Sequence, residues 1–284
     1  KLTEHNNTLN DVIIKKTEEV KQKDKMLSVR DATILEYENT INYLHNFVKD
    51  FYGIELKEIK QEIYNEEVKV YEVYKNWNLI SYFMLDSFYR KNKRPWAWAD
   101  NLREKEYFPK SKLPVVINVC NFQKNPNWKT TLSMRDVETL FHEFGHALHE
   151  ITSESKYSEL SWFWVERDFV ELPSQLLENW VSDRDSLSIL AKHVDTWELL
   201  SIEMLDKLDK LKTYMSGLFV TRQNEFALLD MNLYVWDIPN TVDELDEKTL
   251  EIVNKYSIFK RGDDYKMYCS FWHIFGWWYA AGYY

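Results

Sequence analysis

Mid-chain, the run Phe141-His142-Glu143-Phe144-Gly145-His146-Ala147-Leu148-His149 concentrates side chains that can do chemistry. On a helix, His142 and His146 are four positions apart and project from one face toward a common point. Neutral imidazoles are good zinc ligands, and Glu143 between them falls where a general base for a zinc-bound water belongs. The alternative is a pair of surface histidines on an amphipathic helix. Against it stand the apolar flanks Leu140, Phe141, Phe144, Ala147 and Leu148, which put the polar residues on a mostly buried element. A buried polar cluster needs a partner, and a metal ion supplies one.

A catalytic zinc takes three protein ligands and keeps one position open. Glu171, 25 positions after His146, is the candidate third ligand, with enough chain between for a loop and a return. It lies in Asp168–Trp180, a helical stretch that lines up Glu171, Gln175 and Glu178 on one face. Glu171 could instead be a surface carboxylate; its neighbours Phe169, Val170 and Leu172 favour ligation. Glu138 and Glu178 are candidates to orient the ligand histidines, or equally ordinary helix-face charges. His149 reads as a packing or capping residue, and His5, His45 and His193 as surface residues.

These residues need elements to hold them. Ser133-Met134-Arg135-Asp136 has the pattern of a helix N-cap with an acidic residue three positions on, and it predicts a helix through Ile151. Val68, Val70 and Tyr74 alternate with polar residues, and Leu79–Leu85 follows a short turn at Asn76–Asn78, which predicts a β-hairpin. Val115–Cys120 is a third strand, and the candidate edge for pairing with an extended peptide. Arg90-Lys91-Asn92-Lys93-Arg94-Pro95 reads as a solvated basic loop. Residues 1 to about 50 suggest one or two surface helices. Beyond Glu166 the pattern is mostly helical, broken near Asp183–Asp185, Pro239–Thr241 and Arg261–Asp264. The expected fold is therefore mainly α with a small antiparallel β-sheet.

Composition narrows the class. The chain has 284 residues, 45% hydrophobic and 29% charged, with a net charge of −10. That suits a globular chain and argues against nucleic-acid binding or a polybasic membrane anchor. No apolar run is long enough to span a bilayer, Lys1–Asn10 has no signal-peptide core, and two cysteines make no disulfide framework. The cytoplasm is the expected compartment.

Several stretches together resemble the thimet oligopeptidase, neurolysin and bacterial dipeptidyl carboxypeptidase family of zinc peptidases. They are Phe51-Tyr52-Gly53-Ile54, Leu79 through Arg90, Asn118-Val119-Cys120-Asn121-Phe122, Asp136 through His149, Asp168 through Trp180 and Ser270 through Tyr284. The resemblance implies one Zn2+ held by His142, His146 and Glu171, with Glu143 as general base. It also implies that His273, Tyr279 and Tyr283 bind substrate and stabilise the oxyanion. The implied activity is hydrolysis of short peptides by a zincin-like catalytic region. Residues 36–284 would be that catalytic domain, incomplete at both ends relative to the family, after an upstream helical segment at residues 1–35. The alternative is a catalytically silent zinc-binding scaffold. Oligomeric state, side-chain preference and endopeptidase versus dipeptidyl carboxypeptidase action are left open.

One oddity remains. The chain has 6 glycines and 12 tryptophans, where ordinary usage gives roughly 20 glycines at this length. Trp77, Trp96, Trp128, Trp162, Trp197, Trp272, Trp277 and Trp278 stand where the resembled family has glycine. UGA codons that the source organism reads as glycine would explain them, whereas Trp180 matches a family tryptophan.

Overall fold

The computed structural model describes residues 34–107, 110–127, 129–192, 196, 198–235, 239–271 and 273–276. Nearly all of the expected 1–35 segment lies outside them. The elements fall into two compact units, residues 1–152 with 174–212, and residues 153–173 with 213–284.

The first unit begins with strand β1 (Ile34–Glu36) and helix α1 (Tyr37–Tyr52). The Glu36 carboxylate accepts from the backbone N–H groups of Glu38 and Asn39, satisfying donors that a helix start leaves open. Gly53, at φ 66°, closes α1 by returning its N–H to the Lys49 carbonyl at 3.0 Å. The helix buries Tyr37, Thr40, Ile41, Leu44 and Val48, a stripe at helical spacing.

Strands β2 (Ile54–Ile59), β3 (Lys69–Lys75), β4 (Asn78–Phe88), β5 (Trp98–Arg103) and β6 (Val115–Phe122) form one sheet in the order β2-β3-β4-β6-β5. The expected hairpin is β3–β4, closed across Lys75 and Asn78. The sheet is mixed, because β4 and β6 run parallel while the other pairs are antiparallel. Strand β6 also corrects the expected edge: Val115–Cys120 is interior, hydrogen-bonded to β4 on one side and β5 on the other. Its largely apolar sequence, interrupted by the buried Asn118, reflects burial on both faces. Val116, Cys120 and Phe122 join the core beneath α1 and the next helix, and Ile117 and Val119 pack with Val68, Val70 and Met84 on the opposite face. Strands β2 and β5 are the two edges of this sheet as described, and β5 is the edge beside β6.

After β7 (Thr131–Ser133), which pairs with β1, helix α2 spans Met134–Thr152. Its predicted cap is present: the Asp136 amide donates to Ser133 Oγ at 3.2 Å, and the Ser133 amide donates to the Asp136 carboxylate at 2.9 Å. Val137, Leu140, Phe141, Phe144 and Ala147 anchor α2 in the core against Phe83 and the α1 stripe. Helices α3 (Leu172–Val181), α4 (Arg184–Leu190) and α5 (Ile202–Thr213) complete this core through Leu177, Val181, Leu187, Leu205 and Leu208. Asp183 caps α4, at one of the predicted breaks.

The basic loop is not simply solvated. The Arg90 guanidinium donates two hydrogen bonds to Asp86, both at 2.7 Å, and Lys93 Nζ donates to the same carboxylate at 2.8 Å. Lys93 also reaches the carbonyls of Asp86, Phe88 and Cys120. Asp86 is buried at the end of β4, and a buried carboxylate draws cations to it. His45 likewise departs from the surface expectation: its ring meets Tyr71 edge-on at 5.0 Å, and burial together with nearby Lys69 pushes its pKa down to about 4.

The second unit has its own small core of Leu229, Ile252, Val253, Met267 and Ile274. These come from α6 (Ser216–Val235), α7 (Val242–Tyr256), α8 (Met267–Ser270) and α9 (His273–Gly276). Thr241 caps α7, accepting from the Glu244 amide at 3.2 Å. Buried Glu225 accepts from Tyr265 Oη at 2.6 Å and pairs with Arg222.

Candidate metal centre

Helix α2 sets His142 and His146 side by side, their ring centroids 4.9 Å apart and nearly perpendicular. His146 is 4% exposed and Glu143 6%. The expected apolar burial of this helix therefore holds, and it carries the polar residues inward with it. Glu143 also faces the sheet side closely enough for its charge to add to the burial that raises the Cys120 thiol.

Glu171 ends the turn Arg167–Glu171, which is held by the Phe169 amide to Glu166 carbonyl bond at 2.9 Å and the Leu172 amide to Phe169 carbonyl bond at 3.0 Å. Pro173 falls in the first turn of α3, where a missing N–H costs nothing. Glu171 is 7% exposed, and the candidate ligand atoms of His142, His146 and Glu171 all lie within 4.8 Å of one another. The three residues singled out as ligands are thus brought together.

Glu178 resolves one of the open alternatives. Its carboxylate meets His142 Nδ1 at 2.5 Å, so the ring donates there, and in the neutral imidazole Nε2 is the nitrogen left to bind a metal. Leu177 and Val181 hold α3 in the core, and the Trp180 ring packs on Phe47 at 5.0 Å, which sets the height of Glu178 against His142. Two imidazole nitrogens and one carboxylate oxygen, with an orienting carboxylate behind one ring, fit a divalent ion with zinc-type preferences. His149 packs as expected, partly buried, with its pKa lowered by burial and by His146.

His273 opens α9, with the Phe271 ring 5.2 Å away. Burial lowers its pKa, and the nearby charge of Glu171 opposes that shift. The two residues belong to the same unit and are electrostatic neighbours. Tyr279, Tyr283, Trp277 and Trp278 lie outside the described residues. The Asp86–Lys93 cluster escaped sequence reading because Lys93 sits in a run of basic residues that looks like any solvated loop.

A mixed sheet under a His-Glu-Xaa-Xaa-His helix, with a carboxylate from a following turn, is the donor arrangement of a metallopeptidase. Residues 17–284 match Peptidase family M3, and the chain belongs to that family. It is 36% identical over 273 residues to oligopeptidase A of Escherichia coli, covering 93% of this chain and 40% of that protein. It is 34% identical over 229 residues to dipeptidyl carboxypeptidase of Salmonella typhimurium, covering 78% of this chain and 33% of that one. An organellar oligopeptidase A from Arabidopsis thaliana is 35% identical over 252 residues, 85% of this chain and 32% of the relative. The chain spans about two fifths or less of the length of these curated relatives. All three are peptidases by name, which gives the silent-scaffold alternative no support. Among the described residues no helix is long and apolar enough to cross a membrane.

Proposed function

We propose that this chain is the zinc-binding catalytic part of a peptidase that hydrolyses short peptides. The observation that carries the reading is the convergence of His142, His146 and Glu171 within 4.8 Å. His142 through Nε2, His146 and Glu171 would hold the ion. A bound zinc would polarise the substrate carbonyl and acidify the attacking water. Glu143 then takes the water's proton and passes it to the leaving amine, a transfer suited to a carboxylate kept from bulk solvent. Glu178 fixes the His142 tautomer. His273, next to Glu171, is the proposed hydrogen-bond donor to the developing oxyanion, with the Tyr279 and Tyr283 hydroxyls in the same role. The outer edge of β5 offers unpaired backbone groups to an extended peptide, the role first expected of Val115–Cys120. Peptide substrates follow from the relatives' names, and the cytoplasm remains the proposed compartment.

The test pairs metal content with cleavage of an internally quenched oligopeptide. The chain should carry about one zinc ion. Glu143→Gln should keep the zinc and lose roughly 10²–10⁴-fold in rate. Equal rates for the two proteins would remove Glu143 from the mechanism.

A further inference from the structure

Two exposed tryptophans stand in backbone conformations that suit glycine. The β3–β4 hairpin turns through two residues, Asn76 at φ 51° and Trp77 at φ 67°, between paired Lys75 and Asn78. Positive φ at both central positions is the type I′ hairpin, whose sequence signature is Asn-Gly. Trp96 stands at φ 91° directly after Pro95. Proline followed by a positive-φ residue is the pattern of a type II turn, whose third position calls for glycine. The conformation is pinned there, because Asn121 Nδ2 donates to the carbonyls of Arg94 at 2.9 Å and Trp96 at 2.6 Å.

An L-residue in this region brings its Cβ against its own backbone, and a bulky one is a genuine outlier. Burial could compensate, but Trp77 is 94% exposed and Trp96 81%. Trp180, by contrast, packs on Phe47 and Phe51. Met215 also has positive φ, but it sits in the turn between α5 and α6 and carries a smaller, unbranched side chain. Among the described residues, only at 77 and 96 does the largest side chain meet a glycine-type turn and gain nothing from packing. The shortage of glycine in the chain points the same way.

We infer that positions 77 and 96 are glycine in the polypeptide the source organism makes, their UGA codons being read as glycine. The first measurement is tandem mass spectrometry of the protein purified from its source, with the gene's codons read alongside. Glycine in the peptides spanning 77 and 96, with UGA at both codons and UGG at 180, is the expected result. Tryptophan in those peptides, or UGG at either codon, overturns the inference. A second measurement tests the backbone premise on the recombinant chain as written. Trp77→Gly and Trp96→Gly should each raise the melting midpoint by about 2–4 °C, whereas Trp180→Gly should lower it. Midpoints unchanged or lowered by both exchanges would remove the conformational argument.

Discussion

At the scale of single residues, the candidate ligand His142 depends on a neighbour that fixes its state. That neighbour is Glu178, since its contact with His142 Nδ1 decides which ring nitrogen is left for a metal. Glu178→Gln should therefore weaken zinc affinity by about 10–100-fold in chelator competition while the far-ultraviolet circular dichroism stays unchanged. An unaltered affinity would return Glu178 to the helix-face charges. His45, which is not among the candidate ligands, makes a separate, pH-linked prediction. Its folded pKa of about 4 lies below the usual value of 6.5, so the fold favours the neutral ring. The unfolded chain then binds more protons between those values, and stability is lost as pH falls from about 6.5 toward 4. Lys69 and Glu38 are the charges that act on this ring, the first deepening the shift and the second opposing it. Urea titrations at pH 7 and pH 4.5 should show that His45→Phe removes on the order of 2 kcal/mol of this dependence.

At the scale of elements, the loop from Arg90 to Pro95 is fastened to the sheet by a buried carboxylate. Asp86 receives Arg90, Lys93 and the Tyr64 hydroxyl, the last at 2.8 Å, and these partners hold its pKa below the ordinary carboxylate value despite burial. Lys93 is pulled the other way, its pKa lowered because burial outweighs the carboxylate beside it. Removing one partner leaves the other charge buried and under-compensated. Lys93→Met should thus cost about 3 kcal/mol in a urea denaturation, while the nearby exposed Lys91→Met changes stability by less than about 0.5 kcal/mol. Because the same loop leads into β5, its Asp86 anchor sets where the sheet's edge begins. The pairing of β6 with both β4 and β5 explains why Val115–Cys120 could not be that edge.

At the scale of the whole molecule, a ligand that binds only the folded chain must stabilise it by mass action. Zinc removal should lower the melting midpoint, and readdition should restore it. Glu171→Gln should abolish the response, while Glu143→Gln should keep it, since Glu143 is proposed to move protons rather than hold the ion. A full response in Glu171→Gln would end the assignment of the third ligand. The two compact units each have a separate apolar core, and their hydrophobic clusters share no residue.

What could be read from the chain alone was local. The i, i+4 spacing of His142 and His146, the Ser133–Asp136 cap, the hairpin at Asn76–Asn78 and the breaks at Asp183 and Thr241 depend on geometry repeated within a few residues. Helical period and turn chemistry fix such features wherever they occur. The turn at Trp77 was visible in the same way, although its positive φ was not. Tertiary structure decided the rest: that Glu171 meets the histidines, that Glu178 faces His142, that Lys93 is buried on Asp86, that His45 sits against Tyr71, and that β6 is interior. Most of these join residues distant in sequence, and nothing in their local pattern separates a partnered charge from a solvated one. Only packing of the apolar faces of α1, α2 and α3 onto the sheet brings such pairs into contact, because burying those faces is what lowers the free energy.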